Sequence, residues 1–89
     1  MEKIKIPNGL FAYRATAEET HLLGGRGICD ECNQFAEQGY LVPVLNHYQC
    51  PKCFQNYKKY SINYPEDRAI EQRRMEYYEH MIPLGEVAT

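Results

Sequence analysis

Apolar and polar positions alternate at the start of the chain, where Ile4 and Ile6 interleave with Lys3 and Lys5 in the two-residue period of a strand with one covered face. Pro7-Asn8-Gly9 is a turn signal and an apolar, aromatic stretch resumes over residues 10–13, so a short hairpin is expected. Thr16 and Glu19 have capping-box spacing: the hydroxyl accepts from the backbone at Glu19 while the carboxylate reaches back to the cap. This predicts a helix of two turns over residues 17–23, stopped by Gly24. Gly24-Gly25-Arg26-Gly27 then reads as a flexible hinge, being too short for a phosphate cradle and lacking the lysine that would follow one.

Residues 39–44 are rich in apolar and β-branched types, Leu45-Asn46-His47 can turn, and Tyr48 leads out again, which predicts a second hairpin. Pro43 has no N–H to give a central strand, so this hairpin is expected to be an edge ribbon. Phe54, Tyr57 and Tyr60 recur at helical spacing and predict a helix to about residue 61. Pro65, with Glu66 and Asp67 behind it, suits the first turn of a last helix, which should run to residue 80 or 81 before the stop signals Pro83 and Gly85. Ile70, Tyr77 and Met81 fall on one stripe of it, with Arg74 between them, and that face is expected to dock on the rest of the molecule.

The chain has 89 residues, the length of one domain whose core alone leaves little margin of stability, so a covalent or metal staple is expected. Three regions follow, packed together: a hairpin and capped helix over 1–27, a four-cysteine segment over 28–64, and an acidic helix and tail over 65–89. Charges interrupt the first residues where a signal peptide needs an unbroken apolar run, and no segment approaches the roughly 20 apolar residues of a membrane span. A cytoplasmic protein with no membrane association is the expectation. The net charge of -2 includes three basic and six acidic side chains in residues 65–89, and no stretch forms the basic stripe that phosphate backbones attract.

Cytoplasmic thiols stay reduced, so the four cysteines point to a metal rather than to disulfides. Cys29 and Cys32 are separated by two residues, as are Cys50 and Cys53, with residues 33–49 between the pairs. Each tight pair can turn two thiolates toward one ion, and the intervening hairpin can bring the pairs together around a single structural Zn²⁺. Pro51 allows a helix to begin directly after Cys50, placing Cys53 in its first turn. The expected architecture is a small α+β, zinc-stabilised domain in which knuckle, hairpin and ligand-bearing helix form a treble-clef-like finger, flanked by the N-terminal hairpin and helix and by the C-terminal helix.

The spacing C-x2-C-x17-C-x2-C and the run His47-Tyr48-Gln49-Cys50-Pro51-Lys52-Cys53 resemble GATA-type zinc fingers over about residues 29–60. The likeness implies the same four zinc ligands. That family presents a tryptophan and two arginines to DNA from the loop between its cysteine pairs, where this chain has Tyr40, Leu41 and Val42. The basic tail that follows such fingers is replaced by an acidic helix, so the DNA-reading function does not carry over.

A closed four-thiolate site leaves zinc no open position for substrate, and residues 40–44 lack the histidine base of HNH-type treble-clef nucleases, so no enzymatic activity is expected. His47 reads as a turn residue beside the site, and His21 and His80 lack catalytic partners. Tyr40, Leu41, Val42 and Val44 form an apolar ribbon that is expected to bind a protein partner or a second copy, making the chain a protein–protein interaction module, unless the C-terminal helix covers it as core; exposure of Leu41 and Val42 separates the two. The alternative is a nucleic-acid-binding regulator, with Lys52, Lys58 and Lys59 for phosphates and Tyr57 and Tyr60 for bases. In size, acidity and lack of catalytic groups the chain resembles small accessory proteins of bacteriophages and mobile elements.

Overall fold

The computed structural model describes residues 1–84. Strand β1, Glu2–Lys5, turns through residues 6–10 into β2, Phe11–Thr16, and the two pair antiparallel with Ile4 opposite Ala12. The turn closes as its residues predict: the Ile6 N–H donates to Leu10, the Gly9 N–H to Ile6, and Gly9 takes a positive φ. Thr16 and Glu19 complete the capping box of α1, Ala17–Thr20. The expected second turn tightens to a 3₁₀ turn over His21–Leu23, and Gly24 ends it in the left-handed region.

In the expected hinge Gly24, Gly25 and Arg26 are exposed, but its last residue is packed. Gly27 is buried at positive φ, and a Cβ there would lie 2.3 Å from that of Ala17, so only glycine allows this close approach. Strand β3, Gln38–Val42, then pairs with β2 on one side and with β4, His47–Gln49, on the other. The sheet is antiparallel in the order β1-β2-β3-β4, so the second hairpin is not a detached ribbon. Its first strand is central, and Pro43 sits just past the strand end in the turn, where no ladder N–H is required.

Alternation along the strands sorts side chains to two faces, each covered by one helix. Helix α2, Pro51–Tyr60, covers the face of Ile6, Leu10, Ala12 and Val42 with Phe54, whose ring stacks on Tyr40 at 3.9 Å. Helix α3, Arg68–Met81, follows a 3₁₀ turn at Pro65–Asp67 and covers the opposite face, where Met75, Tyr78 and Ile82 pack on Tyr13, Ala15, Leu41 and Tyr48. The docking stripe is therefore one position away from the expected one: Glu71, Met75 and Tyr78 are buried, whereas Ile70, Tyr77 and Met81 are exposed. Glu71 decides this register, because its carboxylate accepts from the Phe11 N–H at 2.8 Å and Arg74 donates to the carbonyls of Pro43 and Val44. The stop signal Gly85 lies outside the described residues. No helix among the described residues is long and apolar enough to cross a membrane.

Candidate metal centre

The segment 28–35 folds into a tight knuckle. Cys29 N–H donates to Gln34, Asn33 N–H donates back to Cys29, and Ile28 bridges Phe35. Asn33 takes the left-handed conformation (φ 61°) that the reversal needs and that asparagine tolerates better than most residues. Gly27 accepts from the Ala36 N–H and closes the base. The second pair stands at the end of β4: Cys50 is the N-cap of α2, Pro51 occupies its first turn, and the Phe54 N–H donates to Cys50 at 2.9 Å. Cys53 thus lies in the first helical turn, as its spacing from Pro51 predicts.

All four sulfurs meet. The Sγ atoms of Cys29, Cys32, Cys50 and Cys53 lie within 4.8 Å of one another, and those of Cys32 and Cys50 are 3.8 Å apart. A tetrahedron of metal–sulfur bonds of about 2.3 Å has edges of about 3.8 Å, so the donor set fits one ion. A disulfide would need about 2.05 Å. Cys29 is buried, Cys50 and Cys53 are half-buried, and Cys32 is exposed.

The electrostatics suit a divalent cation. Burial pushes the Cys29 thiol up, but backbone N–H groups of Cys50, Cys32 and Glu31 directed at its sulfur outweigh this and bring it to about 7. Cys53 is pushed up to about 12, first by burial and then by hydrogen bonding among the neighbouring sulfurs. Crowded thiols cannot all ionise against one another, whereas a bound cation displaces their protons together.

Sequence reasoning passed over the acidic residues that lash the knuckle to the sheet. Asp30 donates its N–H to the Tyr48 carbonyl and accepts the Tyr48 N–H on its carboxylate, both at 2.8 Å. Glu31 pairs with His47 Nδ1 at 3.2 Å, so this histidine ties β4 to the knuckle rather than filling a turn. The signal was the Asp-Glu pair inside the first cysteine knuckle, where side chains necessarily point at whatever packs beside it. His21 and His80 are both exposed.

The expected ribbon is not a surface. Leu41 packs into the α3-side core and Val42 into the α2-side core, while Tyr40 and Val44 are half-buried against the latter. Of the other candidates on α2, Lys58 lies over the Phe54 ring and Lys59 over Tyr60, whose ring is 69 % exposed. No protein-family model matches the chain, and no curated protein or solved structure matches it. The likeness to GATA-type fingers rests on the cysteine spacing and the residues around the second pair.

Proposed function

We propose that the chain is a non-enzymatic binding module held together by one structural zinc ion in a treble-clef-like finger. The observation that carries this reading is the convergence of four thiol sulfurs from two separate elements at the spacing of a single tetrahedral ion. Zinc would be held by Cys29, Cys32, Cys50 and Cys53 and would supply folding energy by joining the knuckle to the N-terminus of α2. A full set of protein thiolates leaves no position for an activated water, which supports a structural rather than a catalytic role. Metal analysis of protein purified under reducing conditions should give about one zinc per chain, and Cys50→Ser should lose it together with the fold of the knuckle and α2. A metal-free, fully folded preparation would refute the assignment.

The protein-contact role moves with the geometry. Because Leu41 and Val42 are internal, the apolar side chains open to a partner near the metal are Ile28 and Phe35, bridged across the knuckle, with Phe35 64 % exposed. An exposed aromatic on a small rigid turn is the kind of anchor that partner pockets enclose. Serine at both positions should abolish binding to a partner or a second copy while zinc content and melting temperature stay unchanged. The burial of Leu41 and Val42, which occupy the positions of the DNA-reading arginines, supports the absence of sequence-specific duplex recognition.

A further inference from the structure

Among the described elements of this acidic protein, helix α2 carries the highest positive charge. Its ten residues carry Lys52, Lys58 and Lys59 and no carboxylate, and among the described residues none of the three forms a salt bridge. One side of the helix borders a cleft of about 290 Å³, walled by Tyr57 and Tyr60, by Leu45 of the β3–β4 turn, and by the polar side chains of Glu31, Gln49 and Asn56. Cys53 and Asn56 also border a second groove of about 480 Å³, which Lys52 and Lys59 line, so aromatic cleft and cationic groove adjoin. Gln49 is 1 % exposed, and both its Oε1 and the Tyr57 hydroxyl are buried without a hydrogen-bond partner. Buried polar atoms are rarely left so, and here both belong to residues that line the same cleft.

We infer that this cleft takes one unpaired nucleotide, its base against Tyr60 and Tyr57 and its phosphate on Lys52 and Lys59. The lysines favour an anion, the exposed Tyr60 ring offers a stacking platform, and the two meet over a distance of one or two helical turns. The exposed Glu31 carboxylate is an acceptor at the cleft wall, so the fitting base edge is one that donates, as guanine does through N1–H and its exocyclic amine. A duplex is excluded, because its bases are stacked and paired and cannot enter a cleft beside a helix. The site lies beside the metal centre but does not use the metal, and it is separate from the knuckle contact proposed above.

The test is fluorescence anisotropy of the purified full chain, metal content recorded, against a labelled single-stranded RNA 12-mer containing guanine, an all-uracil 12-mer, a matched duplex and an acidic peptide of equal charge. The guanine-containing strand should bind tightest, and competition with guanosine monophosphate tells whether a free nucleotide suffices or a strand is needed; either result supports the site. Tyr60→Ala should weaken binding at least tenfold, and Tyr60→Phe should restore it, since stacking needs the ring and not the hydroxyl. Lys52→Gln with Lys59→Gln should make the plot of log affinity against log salt shallower by about 0.7, the contribution of the one phosphate they hold on a single strand. Tyr60 and both lysines are solvent-facing, so the variants should keep the wild-type metal content and melting temperature. Equal binding of duplex and single strand, an unchanged Tyr60→Ala, tighter binding of the acidic peptide, or no binding of any strand at low salt would each overturn the inference.

Discussion

Gly39 lies where β3 passes under its neighbour, opposite Ala15 in the ladder. A Cβ at this position would stand 2.5 Å from the Gln49 carbonyl oxygen and 2.7 Å from the Tyr48 ring, both parts of a packed sheet rather than flexible ends. Gly39→Ala should therefore destabilise by about 1–3 kcal/mol, as overpacking does in close-packed interiors; thermal unfolding of the metal-loaded protein measures it. The same crowding positions the Tyr48 hydroxyl, which donates to the Ala36 carbonyl at 2.7 Å and so holds the end of the knuckle against the sheet. Burial, followed by the negative charge of Cys29 and Glu19, pushes this phenol up to about 12, so it remains a donor throughout the physiological range. The knuckle was legible from its cysteines, but neither Gly39 nor Asp30 was, because each acts through a neighbour that only the sheet register supplies.

At the scale of elements, the turn, the capping box and the start of α2 were readable because each depends on a few adjacent residues with fixed backbone needs. The docking face of α3 was not. Helical spacing alone allowed two stripes, and the apolar one, Ile70, Tyr77 and Met81, lost to a stripe containing buried Glu71, whose hydrogen bond to Phe11 spans 60 residues of sequence. Two substitutions separate the stripes: Met75→Ala should cost about 2–5 kcal/mol as a buried truncation, whereas Ile70→Ser should stay within about 0.5 kcal/mol. Denaturant unfolding of the two variants decides between them. Helix α3 is also fastened by Glu79, which accepts from the buried Tyr13 hydroxyl and pairs with Lys3 at 3.1 Å. The Tyr13 hydrogen bond, and then Lys3, hold the Glu79 carboxyl below its ordinary value of 4.5. With the folded value lowered, its stabilisation is complete above that ordinary value and is lost as pH falls through the lowered one. Glu79→Gln should accordingly narrow the stability difference from wild type as the solution is acidified, seen as converging melting temperatures.

At the scale of the whole molecule, the fold class follows from strand and helix patterns together with the cysteines, while the joining of the two hairpins into one sheet does not, since β2 and β3 meet only after a long excursion through the knuckle. That excursion places the metal site at one margin of the sheet. Along β4 the N–H and C=O of Tyr48 both face away from β3 and are taken up by Asp30 of the knuckle, which the four thiols hold in place, while His47 and Gln49 carry the pairing to β3. A chelator would thus do more than loosen a loop: once the knuckle lifts away, the outward N–H and C=O of Tyr48 lose their partners at the sheet edge, a place where another copy can begin to pair. Light scattering during chelation should rise with protein concentration, and a signal that stays flat at every concentration would rule this out. On this view a bound metal would shield the edge of the sheet as well as stabilise the knuckle.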